Sequence, residues 1–208
     1  FKGVVTTLNT ENRFIANKSV FSNNSSSDNN KVVEITTTSS ATSGTYSLVV
    51  NNLATETKVI SSGFANTTTA LRPGTVKVTV GSASATITIN DTNDSLDGLR
   101  LAINNLGLEV KAAFLNDGSA TNPVRLLISG NITGSSGAVT MSYTENSIHG
   151  FGLNPNQSDM SFETTQTAQD ARFSVDGVSV RKSSNTVTDV LNGAALKLQS
   201  SGSGTISL

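Results

Sequence analysis

The sequence predicts a mainly β chain with a minor helical share, a β-rich α+β fold. Three observations carry that expectation. Charged residues are only 14% and hydrophobic residues 36% of 208 residues, and serine, threonine and asparagine fill the difference. Threonine favours strands, while serine, asparagine and glycine favour turns. Short runs of alternating apolar and polar residues recur along the chain, and helical spacing is confined to a few short stretches.

In chain order, Phe1, Val4, Val5, Leu8 and Ile15 recur near helical spacing and predict an amphipathic helix over about 1–20. Ser22 to Asn30, SNNSSSDNN, has nothing to bury and reads as a linker. Val32 to Thr37 and Thr45 to Asn51 follow as strands, with a further strand in Ala54 to Ile60. Thr75 to Val80 and Ala85 to Asn90 alternate on either side of Gly81-Ser82-Ala83-Ser84, which predicts a hairpin.

Asp91 to Asn105 predicts a helix. Asp94 or Ser95 serves as its cap, Leu96, Leu99, Ile103 and Leu106 form its apolar stripe, and Gly107 ends it. Leu108 to Phe114 and Val124 to Ser129 are strands, joined through Asn116-Asp117-Gly118. Gly137 to Tyr143 is another strand, and 144–166 reads as loop with short pieces of order. Ala171 to Val175 and Val178 to Arg181 flank Asp176-Gly177, the residue pair that suits the positive φ of a primed hairpin turn. Asn185 then caps a short helix carrying Val187, Val190 and Leu191, and Gly193 stops it. Ala194 to Leu198 and Gly204 to Leu208 are the last strands.

Several functions lack their chemistry. Net charge is −1, so no basic excess exists to neutralise phosphates, and nucleic-acid binding is not expected. Apolar runs such as Leu48-Val49-Val50 fall far below the roughly 20 residues of a membrane span. Phe1 stands where an initiator Met would, which predicts a piece of a longer chain. There is no cysteine. A chain of this length builds a core without disulfides, and the absence suits export in an unfolded state.

Catalysis is poorly supplied, and the chain is not expected to be an enzyme. The single histidine, His149, reads as an ordinary loop residue. The carboxylates have structural work: Asp117 and Asp176 in turns, Asp94 at a cap, Asp97 in a first helical turn. Neither Asp170 nor Asp189 is offered as a catalyst. Asp91 to Leu96 resembles a calcium loop only superficially, since Leu96 and Ala102 stand where glycine and glutamate belong. The 8 Asn-x-Ser/Thr sequons, Asn24, Asn66, Asn131 and Asn156 among them, barely exceed the roughly 6 that composition alone provides. No catalytic, cofactor or metal residue is assigned, and the binding residues are open.

Three segments in order carry a family resemblance. Gly44 to Ser61, with Tyr46, Leu53 and Ala54, resembles the start of the second domain of the bacterial flagellar filament cap protein family, also called hook-associated protein 2. Gln169, Asp170 and Ala171, then Val175 to Val178, Ser184, Asn185 and Gly193, resemble the end of that domain. Leu96, Leu99, Ile103 and Asn104 look like a helix motif of flagellins and their caps.

The resemblance implies two β-rich domains, the second inserted into the first. A helical stub and linker, remnant of a leg domain, would occupy 1–32. A platform domain would be split over 33–66 and 166–208, around an inserted domain of 67–165 with one helix. Strands of the Ala168 to Leu198 segment should pair with Thr45 to Val50. The implied role is a structural cap at the distal filament end. It would oligomerise as a ring in the full-length protein and promote folding and insertion of exported flagellin. Its partners would be its own copies, flagellin and hook-filament junction proteins, without cofactor and without membrane insertion. Its place would be extracellular, at the flagellum tip, after secretion through the flagellar export apparatus. The alternative is an extracellular adhesin or glycan-binding β module, touching host mucin or glycans.

Overall fold

A computed structural model describes residues 19–23, 31–146 and 157–208. The helix expected over 1–20 and His149 therefore lie outside the described residues, apart from Ser19 and Val20. Among the described residues the fold is β-rich with one α-helix. The chain divides into two compact units, one from the residues up to Leu53 together with Arg172–Leu208, the other from Ala54–Ala171.

The first unit holds β1 (Val20–Asn23), β2 (Val33–Thr37), β3 (Thr45–Asn52), β11 (Ala171–Val175, from Arg172 on), β12 (Val178–Lys182), β13 (Thr186–Leu191), β14 (Ala194–Leu198) and β15 (Gly202–Ser207). A five-stranded sheet runs β1-β15-β3-β11-β12 and a three-stranded sheet β13-β14-β2. The antiparallel pair of β3 and β11 sets Val50 against Phe173 and Leu48 against Val175, across more than a hundred residues of sequence. Asp176 and Gly177 both have positive φ, 48° and 79°, as a type I′ turn needs. The Asp176 carboxylate also accepts the Ser47 N–H at 2.7 Å, which fastens the turn to β3.

Two expectations fail in this unit. Residues 186–191 form strand β13, not a helix. Val187 and Leu191 are both buried, and a spacing of four places side chains on one face under either period. Thr186, Val187, Thr188 and Val190 are β-branched and tip the balance to strand. Gly193, φ 70°, turns the chain into β14 rather than ending a helix. Ser22 and Asn23, expected at the start of a linker, instead lie in β1, because Val20–Asn23 pairs with β15, and 24–30 lie outside the described residues. Gly204 makes the pairing possible, since a Cβ there would lie 2.3 Å from the Phe21 ring.

The second unit holds β4 (Lys58–Ser61), β5 (Gly74–Val80), β6 (Ala83–Ile89), α1 (Leu96–Asn104), β7 (Val110–Asn116), β8 (Val124–Gly130), β9 (Val139–Glu145) and β10 (Phe162–Gln166). Its sheets run β10-β4-β8-β7 and β6-β5-β9. Val76, Val78, Leu96, Leu99, Ile103, Leu126 and Ile128 belong to one buried cluster. Ser95, rather than Asp94, is the side-chain cap of α1, accepting the Gly98 N–H at 3.0 Å. Asn104 closes the other end against a sheet edge. Its amide donates to the Ala112 carbonyl at 3.0 Å and accepts the Ala112 N–H at 2.8 Å.

The boundary expected at 66/67 belongs nearer 53/54. Val59 and Phe64 enter the core cluster of the second unit, so 54–66 belongs there and not with the first unit. Similarly, 166–171 falls in the second unit rather than with 172–208. The ends of this unit are tied together: the Thr55 N–H donates to the Gln169 carbonyl at 2.9 Å and the Gln169 N–H to the Thr55 carbonyl at 3.2 Å. The stretch read as loop, 144–166, contains the end of β9 and all of β10. FETTQ has a single apolar residue, and β10 is an edge strand held mainly by its backbone pairing with β4.

Arg125 donates to Asp117 at 2.5 Å, and the Ser119 N–H adds a second bond. These partners hold the Asp117 carboxyl down at about 2. A lowered carboxyl stabilises the fold above its unfolded value of about 3.9 and loses that contribution as pH falls toward its folded value. The thermal midpoint of the wild type should therefore carry an acid-dependent loss between about pH 4 and about pH 2. In Asp117→Asn that component should be missing, as thermal melts across the range would read.

Candidate functional site

Three of the carboxylates among the described residues have structural partners. Asp97 pairs with Arg100 at 2.8 Å, Lys182 with Asp189 at 2.5 Å, and Asp170 accepts the Ser135 N–H at 2.7 Å. The Lys182 ammonium is the main cause of a lowered Asp189 carboxyl pKa. Among the described residues no group of three His, Cys, Asp or Glu side chains could hold a metal ion. Asn66 and Asn131 are surface residues: the Asn66 side chain accepts the Thr68 N–H, and the Asn131 amide donates to Glu109. Asn90, Asn93 and Thr92 form a closed turn of Asx type, which accounts for the calcium-like spelling of that stretch.

The most distinctive surface is the outer face of the sheet β6-β5-β9. Val76, Val78 and Val80 of β5 point into the core, so Thr75, Lys77 and Thr79 point away. The register completes three rows. Thr79 lies between Ser84 and Thr140, Lys77 between Thr86 and Ser142, and Thr75 between Thr88 and Thr144. Strand spacing sets neighbours in a row about 4.8 Å apart and rows about 6.7 Å apart. The result is a grid of hydroxyls around one exposed lysine. Every hydroxyl both donates and accepts, and cross-strand Thr–Thr and Thr–Ser neighbours support the sheet. No aromatic ring or carboxylate occupies the nine positions, so the face has no stacking platform for a sugar ring.

The sequence reading missed this face. In the expected strands Thr75 to Val80, Ala85 to Asn90 and Gly137 to Tyr143 the apolar members mark the strand, and the polar members carry this face.

In the first unit, a shallow depression of about 240 Å³ is lined by Asn51, Arg172, Phe173, Ser179, Val180 and Arg181. Its two guanidinium groups and its amide offer polar recognition but no nucleophile or general base.

Residues 1–57 match the family model described as flagellar hook-associated protein 2 N-terminus, and residues 168–208 match the model for its C-terminus. The chain is 30% identical over 195 residues to flagellar hook-associated protein 2 of Escherichia coli strain K12, covering 90% of this chain and 41% of that protein. It spans well under half the length of the curated relatives it matches. A crystal structure of the flagellar cap protein FliD D1-D2-D3 domains from Escherichia coli superposes with a TM-score of 0.69 at 27% identity, covering 91% of this chain and 55% of that one. The D2-D3 structure from the same organism gives 0.69 at 26% identity, covering 91% and 98%.

Proposed function

Because the chain belongs to the flagellar hook-associated protein 2 family, we propose that it is the folded β part of a structural cap at the distal end of the bacterial flagellar filament. In the full-length protein this part would serve a homo-oligomeric ring that holds arriving flagellin while it folds and inserts. The observation that carries the reading is the ordered match of both chain ends to that family, joined by a likeness in fold to a flagellar cap protein that covers 91% of this chain.

The surface chemistry supports the role. A cap must release each subunit and move on, which calls for contacts that exchange easily. Hydroxyl grids with little charge give hydrogen bonds that water replaces at small cost. The work of such a cap is confinement and transient binding, and no covalent step is assigned to any residue. The partners proposed are copies of the same protein, flagellin and the hook-filament junction. The adhesin alternative gains no support from the relatives named above.

Immunogold labelling with antibody against this segment tests the location. The expected result is gold at the distal tips of filaments. Label spread over the cell surface, or absent from flagella, would sink the cap reading and favour an adhesive one.

A further inference from the structure

We propose that the outer edge of β6 is a strand-pairing surface whose occupant is β6 of a second copy of this chain. The edge is exposed by the topology, since β6 is the outermost strand of its sheet. Val80 and Ala83 flank the two-residue turn Gly81-Ser82, in which Gly81 has φ 57°. The narrow pair next to such a turn bonds inward, so Ala83, Ala85, Ile87 and Ile89 turn their backbones to β5. Ser84, Thr86 and Thr88 turn theirs outward.

At Thr88 the outward row is already filled, because the Asn93 amide donates to the Thr88 carbonyl at 2.9 Å. The comparable edge on β7 is filled at Ala112 by Asn104. Ser84 and Thr86 differ: among the described residues their outward N–H and C=O groups meet no protein partner, and both residues are exposed. Sheet edges are commonly blunted by charge, proline or a bulge. Residues 83–89, ASATITI, have no charge and no proline, and their pairing with β5 runs without a register shift. The hairpin is also held in place, since a Cβ on Gly81 would lie 2.4 Å from the Ser136 carbonyl oxygen.

Self-complementarity selects a second copy as the occupant. An antiparallel two-fold at Ala85 sets Ser84 of each copy opposite Thr86 of the other, so hydroxyl meets hydroxyl on both sides. The backbone groups of Ser84 and Thr86 on each copy then satisfy one another, and no like charges face. The hydroxyl grid continues unbroken across the junction. Few residues take part, so the pairing is weak and appears at high local concentration. The pairing is independent of the cap reading.

The chain has no cysteine, which makes Ala85→Cys a clean reporter. Ala85 would face its own copy at a pair position that brings Cα atoms about 4.5 Å apart, within reach of a disulfide. Under mild oxidation of the 208-residue chain at high concentration, A85C should give a crosslinked dimer. Thr140→Cys, exposed on the opposite edge strand, should not. Adding Thr86→Pro removes an outward N–H without touching the bonds to β5 and should cut the crosslinked fraction tenfold or more. Thr86→Lys should do the same by charge, should the proline variant fold poorly. Sedimentation velocity of the unmodified chain should show concentration-dependent dimer that T86K lowers. A crosslink yield for A85C no greater than for T140C would overturn the proposal, as would dimerisation indifferent to T86K.

Discussion

Phe173→Ala should destabilise the first unit by about 3–5 kcal/mol, a large share of the roughly 5–15 kcal/mol by which an ordinary domain is stable. Phe173 is 1% exposed and among the largest fully buried side chains. Its strand, β11, sits between β3 and β12, so the cavity would open in the middle of the five-stranded sheet. That sheet is assembled from both sides of 54–171, and the ladder of β3 with β11 joins Val50 to Phe173. Amide hydrogen exchange reads the effect residue by residue. Protection should fall at Leu48, Val50 and Ile206. The amides of Val76, Leu126 and Ile128 belong to a separate core and should keep theirs.

The second large effect is expected at Gly193. Its φ of 70° costs a residue with a Cβ about 1–3 kcal/mol. The added Cβ would also lie 2.4 Å from the Ala41 nitrogen and 2.6 Å from the Ser40 carbonyl carbon. Those are backbone atoms, which cannot rotate away, and overpacking of this kind adds about 1–3 kcal/mol. Gly107 provides the control, since its φ is 69° but nothing lies within 4 Å of the Cβ position. Gly107→Ala should show the conformational cost alone, and Gly193→Ala that cost plus the clash. Urea midpoints at unchanged slope would separate the two.

Much of the fold was legible where one residue pair or one stripe had a single physical meaning. Asp176-Gly177 suits little besides a tight hairpin turn. Leu96, Leu99 and Ile103 cannot share a face in a strand, because the spacings mix odd and even. The stretch 186–191 shows the converse. Val187 and Leu191 lie four apart, a spacing that helix and strand both satisfy, and Gly193, which turns the chain into β14, reads equally well as a helix stop. β10 was illegible because its one apolar residue, Phe162, sets no period. Its order comes from β4, about a hundred residues away.

The position of the unit boundary was illegible for a related reason. Val59 and Phe64 are apolar in either unit, and nothing local says which core they join. The hydroxyl face of β6-β5-β9 was written in the sequence throughout, as Ser and Thr at every second position. It became visible only when the register of three strands placed those positions in rows. A binding surface without charge, aromatic rings or a motif leaves no mark that single-strand reading detects.

Filament growth tests the cap function most directly. In the bacterium that encodes this chain, the gene should be deleted, and filaments and secreted flagellin then measured. The cap reading predicts cells without full-length filaments, with flagellin lost to the medium as monomer, and restoration by the full-length gene supplied on a plasmid. Filaments of normal length and unchanged flagellin loss in the deletion strain would contradict it.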